Sequence, residues 1–202
     1  MKKSVLTTVI LLLGIQSGLA AEEAAYKVVK KEGGKELRAY EPQILAEILI
    51  EGTLEDAGNK AFRPLFKYID GHNTSQQKIA MTAPVSQEKA GEKIAMTSPV
   101  SQEKVGEKWS VSFMMPATFT MKTIPTPTNK NITLRLKPAH RMATIRYTGR
   151  WSKEGYETHL ELLESWMKKQ DLTPIGSPIW AKYNAPFIPW FMRRNEVLIP
   201  VK

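Results

Sequence analysis

Cysteine is absent from the 202 residues of the chain. Its absence excludes a disulfide framework, a thiolate metal site, a cysteine nucleophile, a lipid anchor on cysteine and thioether attachment of a cofactor. Histidine is also scarce, with only His72, His140 and His159. Their spacing from aspartate and glutamate does not resemble a zinc or calcium site. Any ligand must therefore be held without a thiolate.

Sequence motifs of the common catalytic sites are absent as well. The chain has no G-x-S-x-G nucleophile elbow, no glycine-rich phosphate loop and no dinucleotide fingerprint. Its carboxylates on the predicted helices read as surface charges. We therefore expect a protein that is not an enzyme.

Acidic residues are outnumbered, with 20 Asp and Glu against 29 Lys and Arg and a net charge of +9. The basic residues are spread along the chain, and Arg193 and Arg194 are the only adjacent arginines. Without a compact basic cluster, nucleic acid is a poor partner. A positive field of this kind suits a small anionic ligand that carries carboxylates.

The first 20 residues are typical of a secretory signal peptide. Two lysines precede an apolar run at residues 5–15, and small residues follow up to Ala20. The alternative is an uncleaved membrane anchor, but the run is shorter than the roughly 20 residues that span a bilayer. We expect a periplasmic or secreted protein, not membrane-spanning after cleavage, with one domain at residues 21–202. The sequence does not indicate an oligomeric state.

Hydrophobic periodicity predicts two similar halves, each with strands, a helix and further strands. Thr53 and Ser152 are the predicted N-caps of the two helices, and Pro64 should kink the first helix or begin a second one. The predicted strands are residues 26–31, 35–40, 44–50, 109–115, 132–136, 142–147, 179–183 and 196–201. We expect residues 132–136 and 142–147 to pair with each other across a short turn. The pattern predicts an α+β fold with two helices on a mostly antiparallel, curved sheet and a pseudo-twofold repeat.

A fifteen-residue segment occurs twice in tandem, as KIAMTAPVSQEKAGE at residues 78–92 and KIAMTSPVSQEKVGE at residues 93–107. Two copies are too few for a solenoid. In each copy, KIAMT predicts a strand and SQEK a polar turn. Both copies fit a single strand position, and we favour residues 93–100 because a shorter link joins them to the strand at 109–115. The other copy is then a protruding hairpin arm or an additional edge strand.

Several separated motifs resemble the exported bacterial branch of the SOUL haem-binding protein family. They are KELRAYEP, AFRPLFKYI, KIAMTAPV, VSFMMP, RYTGRWS and RRNEVLIPV, and they span nearly the whole chain after the signal peptide. The resemblance implies a distorted eight-stranded barrel with two helices. It also implies non-covalent binding of haem or another tetrapyrrole in a shallow apolar pocket beside the first helix, with basic side chains near the propionates.

Within that resemblance, we expect cations, aromatic rings and methionines to contact the ligand. The expected ligand-binding residues are Phe62, Arg63, Phe66, Lys67, Met96, Met114, Phe187 and Trp190. His72, directly after the first helix, is the candidate axial ligand of the iron. Ordinary roles remain open for each: core packing for the rings and methionines, an exposed basic face for the cations, and a solvated loop for the histidine.

Three further functions also stay open at this stage. The pocket fits another amphipathic anion, such as a lipid or a bile-acid-like molecule. An enzyme acting on a bound tetrapyrrole is the second. The third is an interaction protein that offers its spare KIAMT arm as an added strand.

Overall fold

The computed structural model describes residues 21–75 and 91–202. The predicted signal peptide and residues 78–90 of the first repeat copy, with the predicted hairpin arm, lie outside these ranges. In the two ranges described, no helix is long and apolar enough to cross a membrane.

Strands and two α-helices alternate along the described chain. The first half contains β1 (Glu22–Glu23), β2 (Tyr26–Glu32), β3 (Lys35–Tyr40), β4 (Gln43–Ile50), α1 (Leu54–Ile69), β5 (Asn73–Thr74), β6 (Thr97–Ser98), β7 (Val100–Val105) and β8 (Lys108–Met114). The second half contains β9 (Thr126–Pro127), β10 (Ile132–Lys137), β11 (His140–Thr148), α2 (Lys153–Lys169), β12 (Ile179–Lys182), a 3-10 turn (Trp190–Met192) and β13 (Arg194–Val201).

Nine strands form one curled sheet in the order β10-β4-β8-β7-β12-β13-β11-β3-β2. Every neighbouring pair in this sheet is antiparallel. The predicted α+β class with two helices on a curved antiparallel sheet is confirmed, with nine strands in place of the expected eight. Two small ribbons accompany the sheet, β1 with β6 in parallel and β5 with β9 antiparallel.

The strand order is symmetric about the contact between β7 and β12. On one side the sheet reads β7-β8-β4, and on the other β12-β13-β11, so each half contributes a strand, a helix and two strands. In each half, the strand that precedes this strand, helix and two strands pairs with the other half of the chain. Strand β3 pairs with β11, and β10 pairs with β4. The expected pairing of residues 132–136 with 142–147 is therefore wrong, because β10 completes the opposite half. Alternation along a strand identifies its buried face but not its partner.

Helix α1 begins where the sequence predicts. The Thr53 hydroxyl accepts a hydrogen bond from the Asp56 amide at 3.2 Å, which satisfies one of the free N–H groups of the first turn. Ala57, Ala61 and Leu65 are fully buried against β4 and β8. Pro64 lies inside a single continuous helix, so it does not begin a second one.

Helix α2 packs over β11 and β13 in the second half. The Ser152 hydroxyl caps it by accepting from the Gly155 amide at 3.2 Å. Its buried side chains are Tyr156, Leu163, Trp166 and Met167. Leu162, on the same helix, is 48% exposed.

The second repeat copy does supply a strand of the sheet, but through a different segment from the one predicted. Residues 91–96 form no strand, and β7 consists of VSQEKV between β8 and β12. The polar residues are accommodated because Gln102 is fully buried and donates to the Leu54 carbonyl at 2.7 Å, while Ser101 and Glu103 face a polar cavity on the other side. The turn that was expected at SQEK instead follows β7, at Gly106, whose φ of 57° is favourable for glycine.

Candidate functional site

Helix α1 exposes two aromatic rings one turn apart. The rings of Phe62 and Phe66 stack with centroids 5.9 Å apart and planes inclined by 14°. They are 40% and 41% exposed. The Phe62 ring also packs edge-on against the buried ring of Phe113 on β8, with centroids 5.7 Å apart, so contact with the core holds Phe62 in place. The result is a small apolar plate on the surface.

Two cations lie beside this plate. Arg63 and Lys67 each follow a phenylalanine by one residue, which places them about 100° further around the helix and one turn apart. Both are exposed, and neither forms an ion pair within residues 21–75 and 91–202. Cations without a carboxylate partner remain free to pair with an anionic ligand.

Arg63, Lys67 and His72 line one shallow cleft of about 340 Å³. Its remaining lining residues are Pro64, Tyr68, Thr128 and Asn129. The backbone of His72 is fixed, because its amide donates to the Lys67 carbonyl at 3.0 Å and its carbonyl accepts from the Thr128 hydroxyl at 2.9 Å. The predicted axial ligand and the two predicted propionate partners thus share one cleft.

Asn73, which no sequence motif marks as a site residue, organises this end of α1. Its side-chain amide donates to the carbonyls of Tyr68 and Glu92, both at 2.8 Å, and its oxygen accepts from the Glu92 amide at 2.9 Å. Asn73 is buried. It therefore joins the end of α1, the His72 loop and the last residue of the first repeat copy, Glu92. The only sequence signal was one more polar residue in a polar loop.

Met96 lies close to the same end of the helix. The Ile94 amide donates to the Ile69 carbonyl at 2.8 Å, so the segment that carries Met96 is bonded to the last turn of α1. Met96 is 43% exposed.

Phe187 and Trp190 belong to the loop between β12 and β13, where they are 84% and 48% exposed. The register places this loop at the same end of the sheet as Phe62, because Lys182 pairs with Val100, which pairs with Phe113. In the described part of the chain, Trp190 contacts Phe191 and Arg150 rather than any ring of α1. The loop and the cleft are thus separate features of the surface.

Met114 lies on the opposite face of the sheet from α1. Its neighbour Phe113 faces the helix, whereas Met114 is buried and lines a cavity on the concave face. We therefore leave Met114 out of the proposed site.

The concave cavity is small, at about 60 Å³, and its lining is rich in polar groups. Burial raises the pKa of the Glu103 carboxyl and lowers the pKa of the Lys137 ammonium on its walls. His140 also lines it, where burial lowers the pKa of the imidazole and the ring stacks on Tyr40 at 5.4 Å. A cavity of this volume holds a few water molecules but not a macrocycle.

His159 has a structural role on α2. Its ring stacks on Tyr147 with centroids 3.8 Å apart, and Nδ1 lies 2.7 Å from the Gly155 carbonyl. Within the ranges described, no three His, Asp or Glu side chains are grouped to hold a metal ion. Of the three histidines, His72 is the one that lies at the cleft.

Comparison with known proteins gives a family and a fold. The sequence model of the SOUL heme-binding protein family matches residues 21–200. No curated protein matches the chain significantly. Among solved structures, the EcmrR C-terminal domain is similar over 88% of this chain and 98% of its own, with a TM-score of 0.60 and 12% identity. A hydrolase from Listeria innocua is similar over 86% of this chain and 94% of its own, with a TM-score of 0.54 and 8% identity. At these identities the two structures support the fold alone.

Proposed function

The chain belongs to the SOUL heme-binding protein family, and we propose that it binds haem or a related tetrapyrrole without a covalent bond on the outer surface of α1. One observation carries the proposal: the second half of one helix carries an exposed aromatic pair and two cations that have no carboxylate partner among the described residues, and an exposed histidine follows the helix. A flat apolar ring system with acidic substituents has the complementary chemistry.

In this proposal, Phe62 and Phe66 provide the apolar contact and the two cations orient the ligand. The guanidinium of Arg63 is suited to a carboxylate because it presents two parallel donors. Lys67, one turn further on, provides a point charge for a second carboxylate. The predictions that Met96, Phe187 and Trp190 also contact the ligand stay predictions.

His72 is the residue that would hold the iron. Haem iron accepts an imidazole nitrogen as an axial ligand, which fixes the position and the electronic state of the metal. The fit rests on three features: His72 is exposed, its backbone is fixed, and it lines the cleft together with Arg63 and Lys67.

An open surface of this kind predicts modest affinity. Covering one face of a macrocycle removes about 300 Å² of apolar surface from water, which at about 25 cal/mol per Å² contributes roughly 7 kcal/mol before association costs. Cation–carboxylate contacts at the surface add about 1 kcal/mol each or less. We therefore expect dissociation constants in the micromolar range.

Haem titration of the purified protein, followed by the Soret band, tests this function. We expect a saturable shift for the native protein and an altered band position for His72→Ala. Metal-free protoporphyrin, followed by fluorescence, is the matched control, because its binding should not depend on His72. A native protein that shifts neither spectrum at tens of micromolar would refute the proposal.

A second candidate ligand is another amphipathic anion, because an apolar plate beside cations does not by itself require a macrocycle. Competition separates the two possibilities. A bile-acid-like anion that displaces haem at lower concentration than protoporphyrin does would favour this second class.

We propose that binding is not accompanied by turnover. Chromatography should show that haem recovered after a long incubation with the protein is chemically unchanged. Conversion to a product that disappears in His72→Ala would instead assign an enzymatic activity to the cleft.

We propose an exported protein on the basis of the predicted signal peptide. Mass spectrometry of the protein from its native host should find a mature N-terminus near Ala21. A chain that retains residues 1–20 would contradict this expectation.

A further inference from the structure

The loop between β12 and β13, residues 184–193, carries four large apolar side chains that the fold leaves in solvent. Their exposed fractions are 84% for Phe187, 63% for Met192, 59% for Phe191 and 48% for Trp190. Single exposed apolar residues are common on protein surfaces, but a contiguous group marks a surface that contacts something else. We call residues 184–193 the aromatic loop.

The backbone of the aromatic loop is held in place. The Arg193 guanidinium donates to the Ile188 carbonyl at 2.7 Å and to the Pro186 carbonyl at 2.6 Å. At the start of the loop, the Asn184 side chain accepts from the Arg194 amide at 2.6 Å. Because these bonds fix the chain from within, the outward direction of the apolar side chains is part of the folded structure.

Cations surround the base of the aromatic loop. The Arg150 guanidinium lies 5.3 Å from the ring centre of Trp190, and the Arg193 guanidinium lies 4.5 Å from that of Trp151. Neither arginine has a carboxylate partner among the residues that the structure describes. The surface therefore combines an apolar tip with a positive base.

We propose that the aromatic loop docks on the surface of an anionic lipid bilayer. Phe187, Trp190 and Phe191, together with Met192, would enter the boundary between head groups and acyl chains, where aromatic side chains are favoured. Arg150 and Arg193 would lie at the level of the lipid phosphates, where cations are attracted to an anionic surface. This inference does not depend on haem binding.

The shape of the loop favours a bilayer over a protein partner. The rings of Trp190 and Phe191 are perpendicular, and Phe187 projects almost completely into solvent. These side chains form a protruding tip, whereas a protein partner would need a groove of matching shape. A bilayer accommodates such a tip without a preformed complement.

Co-sedimentation of the purified protein with vesicles tests the proposal. We expect binding to phosphatidylcholine vesicles that contain phosphatidylglycerol and weaker binding to phosphatidylcholine alone. The double variant Phe187→Ser/Phe191→Ser should lower the partition coefficient about tenfold or more, since each buried phenylalanine contributes on the order of 1 kcal/mol. Arg150→Gln should reduce the preference for phosphatidylglycerol.

The matched control is Leu162→Ser/Ile175→Ser, which removes two other exposed apolar side chains, 48% and 59% exposed, from α2 and from the segment after it. This control should bind vesicles as the native protein does. The single variant Phe187→Ser covers the case in which the double variant does not fold, because Phe187 is the most exposed of the four.

Four outcomes would overturn the proposal. The first is the absence of binding to phosphatidylglycerol vesicles. The second is equal vesicle binding by the native protein and the loop variants. The third is self-association in sedimentation velocity that the loop variants abolish, which would assign the loop to a second copy of this chain. The fourth is a loss of haem affinity in the same variants without a loss of vesicle binding, which would assign the aromatic loop to the haem site, where Phe187 is a predicted contact.

Discussion

Arg38 and Glu196 form a buried, two-pronged ion pair between β3 and β13. Arg38 Nη1 lies 2.7 Å from Oε2 of Glu196, and Nη2 lies 3.2 Å from Oε1. Their side chains are 3% and 0% exposed. Strand β3 belongs to the first half of the chain but pairs with β11 of the second half. The ion pair therefore links β3 to a further strand of the second half, β13. Burying either charge without the other would be costly, so the ion pair favours placing β3 beside the strands of the second half rather than elsewhere in the sheet.

Arg38→Met should lower the free energy of unfolding by about 3 kcal/mol, the lower end for breaking a buried ion pair. The loss is limited because Arg194 also contacts Glu196, at 2.9 Å. The double variant Arg38→Met/Glu196→Leu should recover part of this loss, because no uncompensated carboxylate is then buried. Urea unfolding of the three proteins measures both effects. A loss below about 1 kcal/mol in the single variant would contradict this account.

Local signals in the sequence were sufficient to predict both helices and most strands. Thr53 and Ser152 cap the helices as expected, because a cap depends on residues within three positions of it. The alternation of residues 109–115 likewise predicted β8. These features depend on residues that are close in sequence, so a single sequence is enough to predict them.

Two features of the fold were not predictable, because they depend on distant residues. The exchange of β3 and β10 is a choice of partner, which alternation does not encode. The sequence predicts a turn where β7 lies, because both faces of this strand accept polar groups: Gln102 bonds to the Leu54 carbonyl, and Ser101 faces the polar cavity. The hydrophobic pattern that usually indicates a strand was therefore missing.

The candidate site was partly predictable for the same reason. Arg63 and Lys67 share a face of α1 by helix geometry alone, and His72 follows the same helix. The role of Asn73 depends on Glu92, which is nineteen residues away. The position of Met114 on the opposite face depends on which side of β8 packs against α1, and the sequence does not state it.

Arg63→Gln/Lys67→Gln should weaken haem binding about tenfold, because two exposed ion pairs together contribute roughly 1 to 2 kcal/mol. The effect should shrink at high salt, since exposed pairs are screened. Lys168→Gln/Lys169→Gln, at the exposed end of α2, makes the same change in net charge and should leave affinity unaltered. Soret titrations at two salt concentrations measure the difference. Equal weakening by both double variants would show that only overall charge matters.

Phe66→Ala should separate ligand binding from stability. Phe66 is 41% exposed, and its ring stacks on Phe62, so its removal should cost less than about 1 kcal/mol of folding free energy. Haem affinity should fall about fivefold or more through the lost apolar contact. Phe62→Ala should also lower stability, because its ring packs on Phe113. Thermal unfolding and Soret titration of both variants test this, and an unchanged affinity in Phe66→Ala would remove the aromatic pair from the site.

Asn73→Ala should destabilise the end of α1 by about 2 kcal/mol or more. The substitution leaves the buried carbonyl of Tyr68 and the backbone groups of Glu92 without the Asn73 side chain. Amide exchange in the last turn of α1 and at residues 92–94 should rise more than elsewhere. Asn131→Ala, at an exposed position before β10, is the control. Uniform exchange in both variants would mean that Asn73 does not join these segments.

Lys182 should make stability depend on pH in the mildly alkaline range. Burial lowers the pKa of its ammonium from 10.5 to about 8, and the Nζ atom lies 4.0 Å from the ring centre of Trp180. Between these two pKa values the unfolded chain binds more protons than the folded protein, so the Lys182 contribution to stability rises with pH from about 8 to about 10.5. The difference in unfolding free energy between the native protein and Lys182→Met should therefore increase in favour of the native protein over that range. Tyrosine ionisation affects both proteins alike and cancels in the difference, which denaturant unfolding at a series of pH values measures. A difference that does not change with pH would show that the ammonium keeps its proton over the Trp180 ring, where attraction between cation and ring offsets the loss of hydration.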